Sequence, residues 1–383
     1  MTAPFDDDAD GEPPIPARRV RQIGYRPPPQ IPPELLGRPD LVLRRLDLNE
    51  APSPPSPRVV AAIQAAASEL NRYPEHNPDA LARALAERAG LPADRVIFGN
   101  GSDELVLAAG QVALSAGDEA LLPVPSFPPY GKAVALQEAV VVGVPTRADG
   151  VMDVEATVAA AAASPHCRLV FAATPNNPTG GMLNGEEVER LALGVPDTAL
   201  LMLDEAYFEF GRHAGGPDIL PIVARRRGPW IVTRTLSKAY SLAGLRVGYG
   251  YAGTASLAEA FRKVRTAFNL NRLAQAAALA ALEDEAYMRA TLDANARERR
   301  RLSDGLRALG FDPFPSAANF VAARTSPFSG GGLAEALRRR GILVQALAWP
   351  GVSDALRITI GTAEDTDAVL EALQDAVCQL RQV

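Results

Sequence analysis

What is scarce in this chain narrows it first. Its two cysteines, Cys167 and Cys378, lie far apart and without a CxxC spacing, so neither a disulfide framework nor a cysteine zinc site is supported. Its three histidines, His76, His166 and His213, are scattered through loop-like sequence, and no metal is expected. No apolar run approaches the ~20 residues that a membrane-spanning helix needs. The acidic opening MTAPFDDDADGEPP has neither the basic start nor the apolar stretch of a signal peptide. A cytoplasmic protein without membrane contact is therefore expected. The net charge of −6 gives no global case for nucleic-acid binding. Arginine clusters at 225–227, 299–301 and 338–340 sit among acidic neighbours and are expected on solvated surface.

Lysine is the most informative scarcity. Only three of the 39 basic residues are lysine, namely Lys132, Lys238 and Lys263, which leaves 36 arginines. A guanidinium stays protonated and cannot condense with an aldehyde, whereas a lysine amine can lose its proton. A lysine kept inside a chemically suggestive segment thus carries weight. Mutational bias with accidental survivors stays open for Lys132 and Lys263.

The chain's 383 residues suffice for one large domain or two ordinary ones. Residues 1–20, acidic and proline-rich, read as a disordered leader. Residues 25–57 stay irregular until Ser56, an N-cap with Pro57 at the first helical position. That helix must end before Tyr73-Pro74. A second helix opens at Asn77-Pro78, turns Leu81 and Leu85 inward and stops at Gly90. From there short apolar runs alternate with helical patterns, giving candidate strands at 95–98, 120–124, 140–144, 169–172, 200–203, 231–233 and 247–251. Near-continuous apolar strands separated by helices imply an α/β fold with a mainly parallel sheet covered on both faces. One long helical stretch is read over 257–308. Residues 317–383 then read strand, helix, strand, strand, helix, a second and smaller α/β layer. Thr362 caps the last helix.

Four segments carry chemistry. Gly99-Asn100-Gly101-Ser102-Asp103-Glu104 sets a glycine turn between strand and helix, where backbone N–H groups and the helix N-terminus suit a phosphate. Such turns also precede ordinary helices. Thr174 to Gly180 follows a buried strand at its carboxyl end, where α/β folds place ligands; two prolines fix it, and a plain Asx turn is the simpler reading. Asp204, in Leu203-Asp204-Glu205-Ala206-Tyr207, would be partly buried, which is costly unless it meets a cation, a metal or a protonated ring nitrogen. An ordinary helix cap reads the same way. Thr233 to Tyr240 contains Lys238 beside Thr235 and Ser237, with Arg246 nearby. Hydroxyls and guanidinium suit a phosphate and leave the amine for an aldehyde.

In this order, NRYPE at 71–75, GNGSDE at 99–104, PNNPTG at 175–180, DEAY at 204–207, RTLSKAYSLAGLRVGY at 234–249, SAANF at 316–320 and LRITIGT at 356–362 resemble the fold-type I aminotransferases of class I/II that use pyridoxal 5′-phosphate (PLP). Within them the histidinol-phosphate aminotransferase group is nearest, and the resemblance covers roughly residues 20–380. It implies that Lys238 bonds the cofactor's aldehyde and later moves a proton, and that Asp204 pairs with the pyridine nitrogen. Tyr207 and Asn177 would meet the phenolic oxygen, and Phe127 would stack on the ring. Ser102, Asp103, Thr235, Ser237 and Arg246 would hold the phosphate. Tyr73 would serve the neighbouring subunit's cofactor, implying a homodimer with shared sites. Arg357 would clamp the substrate carboxylate, with Tyr25 and Asn319 nearby. The implied layout is a disordered leader (1–20), an N-terminal arm and part of the small domain (21–72), a large PLP-binding domain (73–272) and a C-terminal small domain (273–383).

Two departures bear on the substrate. After Gly341-Ile342-Leu343-Val344 the group usually places an arginine that helps bind the substrate phosphate, and here Gln345 stands there. Asp47 and Ala51 replace common asparagines. The expectation is an aminotransferase of amino-acid biosynthesis that passes an amino group to a 2-oxo acid such as 2-oxoglutarate, with an aromatic or neutral amino acid favoured over histidinol phosphate. A PLP decarboxylase of the threonine-phosphate type and a non-catalytic PLP-binding protein are the alternatives.

Overall fold

The structure, a computed structural model, describes residues 15–380 apart from 25, 26, 28 and 39. Tyr25 and residues 1–14 of the expected leader thus lie outside the described residues. Where the expected disordered leader ends, the chain forms one helical turn, Arg18–Arg21, that runs into the arm. Arg21 closes the turn by donating Nη1 to the Pro16 carbonyl at 2.8 Å.

The described strands are β1 (Arg44–Arg45), β2 (Val96–Asn100), β3 (Glu119–Val124), β4 (Val140–Pro145), β5 (Cys167–Ala173), β6 (Leu200–Asp204), β7 (Trp230–Thr235), β8 (Val247–Ala252), β9 (Asp312–Pro313), β10 (Phe320–Arg324), β11 (Ile342–Leu343), β12 (Gln345–Trp349) and β13 (Val352–Thr359). All seven strands expected between 95 and 251 form, and they build one sheet in the order β2-β8-β7-β6-β5-β3-β4. Only β8 runs antiparallel to its neighbours. Its glycines permit the crowding: a Cβ on Gly248 would stand 2.3 Å from the backbone of Gly101 and Ser102. Because the other strands are parallel, their carboxyl ends share one edge. Asn100, Val124, Ala173, Asp204 and Thr235 all lie there, and antiparallel β8 begins beside them just after Arg246.

A second sheet, antiparallel in the order β12-β13-β10-β9, lies apart, and β1 pairs with β11. Segments near both ends of the chain therefore meet. Along β10 and β13 one face carries Val321, Ala323, Leu356 and Ile358 into a core with the Ala363–Leu380 helix. The alternate face, with Phe320, Arg357 and Thr359, turns the other way. That face supplies part of the site.

Local signals explain most helix ends. Ser56 Oγ accepts from Val59 N at 3.3 Å, Gly90 closes the Asp79–Ala89 helix in the left-handed region at φ 63°, and Thr362 accepts from Asp365 N at 3.2 Å. The single helical stretch expected over 257–308 is three helices: Ala255–Val264, Arg272–Leu282 and Glu285–Ala308. Asn271 and Asp284 cap the second and third, each accepting from the backbone three residues on, so the polar caps end a periodicity that otherwise runs through.

One basic cluster also departs from expectation. Arg226 is buried, not solvated. Its Nη1 donates to the carbonyls of Ala192 (2.9 Å) and Val195 (2.5 Å), and its Nη2 to those of Pro196 (2.7 Å) and Ala199 (2.8 Å). It thereby satisfies carbonyls at the C-terminus of the Gly185–Gly194 helix, the end that favours a cation. Arg226→Met should leave these groups unpaired and cost about 2–4 kcal/mol. The expected readout is a lower chemical-denaturation midpoint, with activity per folded molecule retained.

Candidate active site

Most of the sequence-selected residues converge on the shared strand edge. Asp204, the last residue of β6, is buried, and three donors reach its carboxylate. Tyr130 Oη donates to Oδ2 at 2.8 Å, while Ala206 N (3.1 Å) and Thr233 Oγ1 (3.4 Å) donate to Oδ1. Burial outweighs these donors and raises the carboxyl to about 6. A cation brought against it would reverse that shift. Glu205, one residue on, faces the other way and pairs with Arg234 at 2.7 Å, whose guanidinium lies 3.3 Å from the Phe208 ring centroid.

Lys238 follows β7. Its Nζ donates to the Leu48 carbonyl at 3.2 Å. Burial first, and the Arg357 charge second, lower the amine to about 8, which keeps a useful fraction unprotonated near neutrality.

Between β2 and β8 the chain gathers hydrogen-bond donors into a candidate phosphate cradle. The Ser102–Ala113 helix starts after Gly101 (φ 75°) with no side chain capping it, so its first N–H groups are unspent. A Cβ on Gly101 would stand 2.2 Å from the Arg246 guanidinium, and Arg246 Nη2 lies 3.8 Å from Asp103 Oδ2. Thr235 and Ser237 are both buried, with Thr235 Oγ1 2.9 Å from Ser237 Oγ. Unspent N–H groups, two hydroxyls and a guanidinium packed directly against Gly101 form a donor set suited to a phosphate.

Across the site, Arg357 is buried, and its Nη1 donates to Asn177 Oδ1 at 2.6 Å and its Nη2 to the Asp47 carbonyl at 2.7 Å. Its Nε and the Oδ1 of Asn319 are buried without a hydrogen-bond partner among the described residues. Polar atoms stranded in this way mark a place built for a polar ligand. Tyr207 Oη accepts from Asn49 Nδ2 at 2.9 Å, and burial raises its hydroxyl to about 12. Phe127 stands edge-on to Tyr130, with ring centroids 5.7 Å apart. Gln345 is paired in register with Arg357, so both side chains leave the same face of the small sheet. A register shift follows between Leu347 and Trp349, and Trp349 packs on Phe314 at 5.7 Å.

Tyr73 is not brought to this cluster. It is 79% exposed and stacks on Phe268 at 4.7 Å.

Sequence reasoning missed Tyr130 and Asn49. A signal existed for Tyr130, an aromatic at the start of the Pro129–Ala135 helix just after the segment that carries Phe127. Asn49 stood in a segment read only for its departures at Asp47 and Ala51, and its partners lie far along the chain.

A buried acid, a lysine amine near neutrality and a phosphate cradle along one sheet edge fit PLP on the donor chemistry alone, and with this sheet they define a fold-type I PLP enzyme. The chain belongs to the family Aminotransferase class I and II, whose profile matches residues 44–373. It is a transaminase with PLP as its cofactor, and relatives at 40% identity are histidinol-phosphate aminotransferases. It is 40% identical to histidinol-phosphate aminotransferase 2 of Carboxydothermus hydrogenoformans over 80% of this chain and 83% of that one. It is also 40% identical to the histidinol-phosphate aminotransferase of Dinoroseobacter shibae over 86% of this chain and 90% of that one. Among solved structures, the histidinol-phosphate aminotransferase of Sinorhizobium meliloti in complex with PLP superposes with a TM-score of 0.86 at 29% identity, covering 95% of this chain and 98% of that one. Among the described residues no helix is long and apolar enough to cross a membrane.

Proposed function

We propose that this transaminase moves an amino group from an L-amino acid with an uncharged, preferably aromatic, side chain to a 2-oxo acid such as 2-oxoglutarate. The observation that carries the reading is Gln345, directly across from the buried Arg357 and on its face of the sheet. An amide at that position offers a hydrogen bond but cannot neutralise a phosphate dianion. The identity to histidinol-phosphate aminotransferases favours a second reading, histidinol phosphate itself, with another group binding the phosphate. The measurement that separates them is kcat/KM for histidinol phosphate against phenylalanine and tyrosine, in wild type and Gln345→Arg. A paired charge at a partly desolvated site is worth about 2–5 kcal/mol, or roughly 30-fold to several-thousand-fold. The arginine variant is expected to gain that factor for the phosphorylated substrate. A wild-type preference for histidinol phosphate near a thousandfold would overturn the first reading.

When bound, PLP supplies an aldehyde to hold and a ring that withdraws electrons from the substrate Cα. The chain's own residues do the rest. The Lys238 amine would hold the cofactor through its aldehyde and, when free, would move the proton at the substrate Cα. Asp204 would keep the ring nitrogen protonated. Tyr207 and Asn177 would hydrogen-bond the phenolic oxygen, and Phe127 would pack on the ring. Ser102, Asp103, Thr235, Ser237 and Arg246 would bind the phosphate, and Arg357, beside Asn319, the substrate carboxylate. In this reading residues 73–272 form the cofactor domain, while 21–72 and 273–383 form the small one.

The same reading makes the enzyme a homodimer in which Tyr73 reaches the partner's cofactor phosphate. Its exposure, stacked on the partly exposed Phe268, supports this. Mixing an inactive Tyr73→Ala variant with an inactive Lys238→Ala variant should regenerate activity, because one hybrid site is then intact. No rescue despite demonstrated subunit exchange would argue for self-contained sites.

A further inference from the structure

Asn49 has no part in the roles assigned above, yet it is one of the most tightly held residues at the site. It is 2% exposed and sits in the left-handed region at φ 54°, which asparagine tolerates better than most residues. Asn319 Nδ2 donates to its carbonyl at 3.0 Å. Its backbone N–H donates to Thr359 Oγ1 at 3.0 Å. The Thr359 hydroxyl spends its own proton on Asn49 Oδ1, 3.2 Å away.

These bonds fix the direction of every proton along the chain. With Oδ1 turned to Thr359, the amide nitrogen must face Tyr207, and Nδ2 donates to Tyr207 Oη at 2.9 Å. The reversed amide would press two N–H donors on Thr359 Oγ1 and leave the threonine proton with no acceptor. Tyr207 therefore accepts from Asn49, and no acceptor among the described residues takes its own proton. Its ring is held edge-on by Phe320, with centroids 5.2 Å apart. The charged groups acting on it are Arg357, Asp204 and Asp103, and burial keeps the hydroxyl protonated through neutral pH.

We propose that Asn49, oriented by Thr359, is a positioning residue that forces Tyr207 to act as a donor into the site, reserving its proton for the cofactor's phenolic oxygen. This rests on the proposed placement of Tyr207 against that oxygen. A donor there stabilises negative charge on the oxygen. Losing the donor makes the neighbouring nitrogen, which joins cofactor to Lys238, hold its proton more tightly.

The readout is the pH midpoint of the visible absorption band of the purified holoenzyme. Asn49→Asp keeps size and backbone tolerance but presents an acceptor, which draws the Tyr207 proton away. Its added charge acts whether or not Tyr207 carries a hydroxyl, whereas the redirected proton acts only when it does. The midpoint should rise by about one unit more in the wild-type background than in the Tyr207→Phe background. Thr359→Val, which is neutral and frees the amide to turn, should raise the midpoint in the same background-dependent way, and Thr359→Ser should not. The Thr359 pair decides the matter if Asn49→Asp does not fold. Equal shifts in both backgrounds, or none, overturn the role of Asn49. If Tyr207→Phe alone leaves the midpoint unmoved, the placement of Tyr207 fails, and the role of Asn49 fails with it.

Discussion

Lys238→Ala is expected to lower kcat by about four orders of magnitude or more, the range in which an amine acts as both nucleophile and general base. Lys238→Arg should be nearly as damaging. It restores the positive charge, but a guanidinium neither condenses with an aldehyde nor accepts a proton at neutral pH. Comparing the two variants isolates the amine's chemistry from its charge. The wild-type apoprotein adds a second signature. Because burial and Arg357 lower the amine to about 8, the unprotonated fraction grows as pH rises through 8. The initial rate of PLP uptake should therefore rise through about pH 8 and level off above it. A free lysine would instead show that rise near pH 10.

Asp204→Asn should retain cofactor while losing most turnover. The variant keeps the shape of the side chain, and the phosphate cradle is untouched. What it removes is the negative charge that, in the proposed placement, would hold a proton on the ring nitrogen. A charge-assisted contact of this kind at a water-poor site is worth about 2–4 kcal/mol, so kcat should fall by roughly 30- to 1,000-fold. The buried setting argues for the upper part of that range, since burial, against three hydrogen-bond donors, still raises the carboxyl to about 6, and a facing cation would favour its ionised form. A near-wild-type rate in Asp204→Asn would remove the acid from the mechanism.

The large sheet was legible because most of its strands are buried on both faces and all read as near-continuous apolar runs; only the edge strand β4 is largely exposed. Their order was not, since no local pattern says that β8 inserts antiparallel between β2 and β7. The breaks after Val264 and Leu282 were masked by helical periodicity on either side, although the capping residues Asn271 and Asp284 were there to be read. Around the site, Lys238, Asp204 and Arg246 stood out because their types are chemically specific and lie next to glycine turns or strand ends. Tyr130 and Asn49 are common residue types whose roles come only from partners 74 and 158 positions away, Asp204 and Tyr207. The place of Gln345 opposite Arg357 likewise required the strand register, which pattern alone does not fix.

The central claim is that one lysine of three carries the cofactor. Borohydride reduction of the purified yellow protein, followed by peptide mapping, tests it directly. A single stable cofactor adduct on Lys238 is expected. An adduct on Lys132 or Lys263, or a colourless protein that yields none after saturation with PLP, would contradict it.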